Sequence, residues 1–132
     1  MLSETINEIL GYYNIGVGCI EVADEGLRWR LGGSVHINCF ALDTRYHGVA
    51  WDSAPVGERV NISDYLLYDL VNRARAVRDE IGFAFITLNS TKNGYPFYSR
   101  NDFEPLSADM YCSMDKTDIE CTSMYYVFDW EN

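Results

Sequence analysis

Basic side chains are scarce in this sequence. Ten lysines and arginines stand against twenty aspartates and glutamates in 132 residues, a formal net charge of -10 at pH 7. Affinity for a phosphate backbone is supplied by Lys and Arg, so the deficit argues against nucleic acid as a main partner, a transfer-RNA substrate included, and favours a cationic one. Acidity of this kind also keeps a small protein in solution. Long apolar runs are missing too: none approaches the roughly 18 to 20 residues that a membrane helix needs, so no membrane partner is expected. Cysteines are few and scattered. Cys19, Cys39, Cys112 and Cys121 include no close pair at metal-ligand spacing, no metal site is expected, and Cys19 and Cys39, inside apolar runs, read as buried free thiols. The opening Met1-Leu2-Ser3-Glu4-Thr5 lacks a basic segment followed by an apolar stretch, so no secretory signal is read there and a cytoplasmic location is expected. On that reading Asn61-Ile62-Ser63 and Asn89-Ser90-Thr91 are unused glycosylation sequons.

What the chain does have is apolar and aromatic side chains, 48% and 14% of residues, enough to order one core. Its length is that of a single domain, 1–132. Residues 3–12 suit a short helix capped by Ser3, with Ile6, Ile9 and Leu10 on one face. Residues 15–22 read as a strand and Asp24-Glu25-Gly26 as a turn. Residues 27–31 alternate as an exposed hairpin arm that Gly32-Gly33 ends, and the apolar run 35–43 reads as a central strand covered on both faces. Residues 45–60 have no periodicity and form a long loop holding Trp51, of a length more often functional than neutral.

The pattern then changes period. Leu66, Leu70, Ala74, Val77 and Ile81 recur at three and four residue intervals, predicting a helix over 62–81 with Asn61 or Ser63 as cap, Asp64 in its first turn and Gly82 ending it. Arg73, Arg75 and Arg78, with Asp69, Asp79 and Glu80, read as its solvated face. Residues 83–88 are a second buried strand, and this order predicts a right-handed crossover between parallel neighbours with a ligand at the carboxyl end of the first strand. A short helix over 95–101, an extended piece at 103–106, a polar loop and an aromatic strand at 123–130 close the chain. Trp29, Trp51 and Trp130 read first as packing residues. Gly16-Val17-Gly18 opens no helix, and no Gly-x-Ser-x-Gly elbow presents a serine, which argues against nucleotide-fold and hydrolase readings.

The succession Cys39-Phe40-Ala41-Leu42-Asp43-Thr44-Arg45-Tyr46-His47-Gly48, followed by Ile62-Ser63-Asp64-Tyr65-Leu66-Leu67 at the head of the long helix, resembles the cofactor core of the GNAT acetyltransferase superfamily. Gly94-Tyr95-Pro96-Phe97-Tyr98 through Asn101-Asp102-Phe103 resembles that family's small residue, tyrosine four later and Gly-Phe pair, with Asp102 standing where the family has Gly and Thr91 where it has Asn. The likeness covers residues 35–106. It implies an α/β (α+β) fold: a mixed, mostly antiparallel central sheet with one parallel βαβ crossover and flanking helices, shortened by the family's first strand and helix. Acetyl-CoA would be the co-substrate. Its pantetheine arm would lie along Phe40, Ala41 and Leu42, and its pyrophosphate at His47, Gly48, Ile62, Ser63 and Asp64, where a helix start also suits an anion on general grounds. Residues 49–61 expand the family's pyrophosphate loop.

The resemblance implies direct attack of a neutral amine of a small molecule or peptide on the thioester, with Tyr98 protonating the departing thiolate. Glu21, Asp43, His36 and His47 are candidates for the base by type, although a strand histidine such as His36 reads first as a hydrogen-bonded structural residue. The alternative expectation is a catalytically inactive binding or regulatory module of the same architecture that acts through a protein partner, a homodimer being one form of it.

Overall fold

The computed structural model describes residues 11–43, 45, 47–48, 61–112 and 121–128. Residues 3–10 of the helix expected at 3–12, residues 49–60 of the loop expected at 45–60, Trp51 among them, and Trp130 lie outside the described residues. Strand β1 (Gly11–Asp24) and strand β2 (Leu27–Leu42) form a long antiparallel hairpin, and helix α1 (Ile62–Ile81) leads back to β3 (Phe83–Ser90), which runs parallel to β2. Helix α2 (Tyr95–Arg100), β4 (Glu104–Pro105), β5 (Met110–Cys112) and β6 (Thr122–Val127) follow. The six strands make one mixed sheet in the order β4-β6-β3-β2-β1-β5, in which every pairing except β2 with β3 is antiparallel. The chain is therefore mixed α/β, mostly strand, with two described helices. No described helix is long and apolar enough to cross a membrane.

The β1–β2 turn follows from Glu25 and Gly26, both at positive φ (50° and 80°), as a two-residue hairpin turn matching strand twist requires. Two strand expectations are corrected. Gly32-Gly33 does not end a strand: β2 runs through it for 16 residues. A Cβ at Gly32 would lie 2.8 Å from Phe85 Cε2 on the neighbouring strand, so the glycine is there for close approach and not for a turn. Gly11 and Tyr12, expected at the end of a helix, begin β1, with Gly11 opposite Leu42. Within the expected polar loop, residues 110–112 add a short strand against Ile20, Glu21 and Val22.

Helix α1 has the predicted bounds. The Asn61 N–H donates to Asp64 Oδ2 at 3.2 Å, and Gly82 closes the helix at φ 82° with its N–H donating to the Arg78 carbonyl. Leu67, Leu70, Val71 and Ala74 pack on Val35 and Ile37 of β2 and Ile86 and Leu88 of β3, and Phe103, Met124 and Phe128 complete the core. The inward stripe departs from expectation near its end. Val77 is 37% exposed, while Arg78, expected in solvent, is only 5% exposed with its guanidinium 5.7 Å from the centre of the Phe128 ring. An arginine can bury its aliphatic stem and set its cation over an aromatic face. Arg75 likewise reaches inward to the Tyr126 hydroxyl at 3.2 Å, leaving Arg73 with Asp69 (3.1 Å) as the exposed ion pair.

Candidate functional site: the splay between the parallel strands

Strands β2 and β3 pair from Gly33 with Phe83 to Ile37 with Leu88, and there the ladder stops although β2 continues to Leu42 and β3 to Ser90. At the same level β2 carries an extra residue. Asn14 of β1 pairs with Cys39 and Ile15 with Ile37, so Asn38 bulges out of the β1 ladder. A bulge bends its strand and increases local twist, which separates β2 from β3 here. The edge of β2 that faces β3 consequently has no strand partner over residues 38–42, so its backbone polar groups need partners other than β3, as the Leu42 carbonyl finds in His47.

A cleft of about 780 Å³ occupies the gap, within the usual size of a small-molecule site. One wall is Cys39, Phe40 and Leu42 of β2 with His47 and Gly48; the other is Asn89 and Ser90 with Thr91; Asn61 and Ser63 at the head of α1 and Phe97, Tyr98 and Arg100 of α2 close it. Cys39, expected to be buried, is exposed because β2 has left the β3 ladder there; none of the four cysteines is in a disulfide and none is fully buried.

Tyr98 is held by aromatic neighbours. Its ring is edge-on to Phe40 (6.3 Å) and to Phe103 (5.7 Å) and lies 5.1 Å from Phe97. A Cβ at Gly94 would come within 3.3 Å of its Cε2, so the small residue one turn earlier leaves room for the ring. Burial, and after it the neighbouring charge of Cys39, pushes the Tyr98 phenol up to about 12. Thr91 holds the turn that leads into α2, its Oγ1 accepting the Gly94 N–H (3.1 Å) and its carbonyl the Tyr95 N–H (3.1 Å). Asp102 takes φ 72°, the left-handed region that glycine occupies most easily, and turns the chain into buried Phe103.

Of the residues expected to hold the co-substrate, Phe40, Leu42, His47, Gly48 and Ser63 border this cleft together with Tyr98. Ala41 lies in the β1 ladder opposite Tyr12, and Ile62 is buried beneath the head of α1. Asp64 turns to α2: its Oδ1 accepts from Arg100 (2.6 Å) and Asn101 (3.0 Å). Burial opposes its charge, but these bonds, the Arg100 cation and the Asn61 N–H outweigh it and hold the carboxyl below its ordinary range. His47 donates from Nε2 to the Leu42 carbonyl at 2.8 Å.

The four candidate bases are separated. Glu21 pairs with Arg28 at 2.6 Å, beside β5. Half-buried Asp43 accepts from the Arg45 side chain and backbone, bonds that lower its pKa. His36 is buried on β2 with Nδ1 at 2.8 Å from Thr87 Oγ1, and burial lowers its pKa. Asn38, Cys39, Asn89 and Arg100 were not expected as site residues from the sequence. Strand alternation past the last apolar pair is the one signal that could have found the first three. Among the described residues no three His, Cys, Asp or Glu stand together as a metal site. No protein-family model matches the chain, and no curated protein matches it in sequence.

Proposed function

We propose that this chain is a GNAT-like N-acetyltransferase that moves an acetyl group from acetyl-CoA to a primary amine. The observation that carries the reading is the parting of β2 and β3 beyond Ile37 and Leu88, with Tyr98 in the wall of the gap. The sheet order, the single parallel pair joined through α1, and the short helix bearing Tyr98 support the family architecture that the sequence resembles.

On this reading the pantetheine arm lies against the open edge of β2 at residues 38–42, and an anionic group approaches Asn61 and Ser63 at the head of α1. Asp64, so close to that anion, is offset by Arg100. The amine attacks the thioester carbon, a C–N bond forms as the C–S bond breaks, and the thiolate leaves. With a pKa near 12, the Tyr98 phenol keeps its proton across the working range and can donate it as a hydrogen bond where thiolate charge develops. Titration calorimetry with acetyl-CoA tests the reading directly: binding in the micromolar range, weakened in Ser63→Asp, is expected. Absence of heat at millimolar acetyl-CoA removes it.

A second reading, a binding module without turnover that pairs with a protein or a second copy, is favoured by the exposed apolar side chains Val17, Leu27, Trp29 and Tyr111 along the hairpin and β5. Association that rises with concentration in light scattering, with no acetyl-CoA binding, is its signature.

A further inference from the structure

Just past the last rung of the parallel ladder, Ile37 with Leu88, each strand presents one asparagine to the cleft, Asn38 from β2 and Asn89 from β3. Both lie on the face of the sheet turned away from α1, the helix that packs on Ile37 and Leu88. For Asn89 this follows from alternation, since it comes directly after Leu88. For bulged Asn38 it follows from Gly16: a Cβ there would lie 3.0 Å from Asn38 Nδ2, and it would share the face of its ladder partner His36, which alternates with Ile37. The glycine leaves room for the amide.

Each asparagine is anchored by a neighbouring strand, and the two are anchored in opposite senses. Asn38 donates from Nδ2 to Asn14 Oδ1 on β1 at 3.1 Å, which leaves its own Oδ1 to accept. Asn89 accepts at Oδ1 from the Ser123 hydroxyl on β6 at 2.7 Å, which leaves its Nδ2 hydrogens to donate. One wall of the splay thus offers an oriented acceptor and the other an oriented donor. A trans amide complements this pair, because its C=O and N–H point to opposite sides. A bare alkyl ammonium does not: it only donates, so it can use Asn38 while its charge faces the Asn89 hydrogens.

We propose that the acceptor amine is carried on a peptide, and that Asn38 and Asn89 set this specificity by holding one of its amides, whose N–H donates to Asn38 Oδ1 and whose C=O accepts from Asn89 Nδ2. This rests on the acetyltransferase reading, in which acetyl-CoA enters from the head of α1 and the opposite face of the splay is left to the acceptor. Asn14 and Ser123 are positioning residues, since they fix which atom of each asparagine is available.

The experiment measures steady-state kinetics with acetyl-CoA for two amines, a lysine-containing peptide with a free N-terminus and butylamine, which has no amide, using wild type, Asn38→Ala and Asn89→Asp. Expected are a preference of wild type for the peptide of roughly tenfold or more in kcat/KM, and a rise of about tenfold in the peptide KM in each variant. The kcat for the peptide and the acetyl-CoA affinity stay unchanged, and the butylamine KM does not rise. Equal use of the two amines, a peptide KM unchanged in either variant, an equal rise for butylamine, or acetyl-CoA binding without turnover of either amine overturns the inference and leaves the cofactor reading standing. Weaker acetyl-CoA binding in the variants gives the amide seat to the pantetheine arm and also overturns it. Failure of wild type to bind acetyl-CoA overturns both. Asn38 is exposed, so Asn38→Ala carries the test should half-buried Asn89→Asp fail to fold.

Discussion

Up to Ile37 on β2 and Leu88 on β3, the two parallel strands share one ladder and bury their side chains under Leu67, Leu70 and Ala74 of α1. Just beyond, two residues along β2 and one along β3, the strands carry an exposed Cys39 and the half-buried Asn89, and a cleft replaces the ladder. The change takes one bulged residue, Asn38. The closed half thus fixes where the strands lie, and the open half inherits that position with its backbone unspent. Substitutions in the closed half should cost stability, and those in the open half should cost function.

The largest effect is expected below the split. Leu70→Ala removes a fully buried side chain and should destabilise the fold by about 2 to 5 kcal/mol, read from denaturant midpoints. Loss of acetyl-CoA affinity in a still-folded Leu70→Ala would break the division. Above the split, Tyr98→Phe should leave stability near wild type and lower kcat about 100-fold, roughly 2.7 kcal/mol in barrier, with acetyl-CoA affinity retained. Next, Ser63→Asp sets a second carboxylate at the head of α1 and should weaken acetyl-CoA about tenfold in Kd, near 1.4 kcal/mol.

His36 sharpens the comparison through pH, because it lies buried in the closed half, paired with Thr87 one rung before the ladder ends. Its folded pKa is lowered by burial, so the unfolded chain takes up a proton that the folded imidazole refuses. The stability it contributes is present above the unfolded value of about 6.5 and is lost as pH falls through the folded pKa. Between pH 7.5 and 5, the urea midpoint of wild type should fall more than that of His36→Gln; equal slopes would contradict the buried, neutral imidazole. The smallest effect is expected at Asp102, where glycine suits φ 72° better. Asp102→Gly should change stability by no more than about 1 kcal/mol, in the stabilising direction if strain outweighs chain entropy.

Elements whose cause is local were legible in the sequence. Helix α1 announces itself through its apolar spacing and its caps, Asn61, Asp64 and Gly82, and the fold class follows from the order of β2, α1 and β3. The parts that were not legible depend on distant partners. Continuity of β2 through Gly32-Gly33 depends on Phe85, more than fifty residues later, and the burial of Arg78 depends on the ring of Phe128. Strand β5 exists through pairing with Ile20, since three residues in a polar stretch carry no period of their own. At the site, Tyr98 and the head of α1 followed from motif and cap, whereas exposure of Cys39 required knowing where the ladder ends.

One carboxylate connects the cleft's walls. Asp64 uses Oδ2 to finish the first turn of α1 and Oδ1 to hold Arg100 and Asn101 at the far end of α2. The start of one helix and the end of the other therefore form a single cooperative unit: fraying of either releases a bond that the other relies on. In hydrogen exchange, the amides at the start of α1 and around Asn101 should open together, at one common free energy.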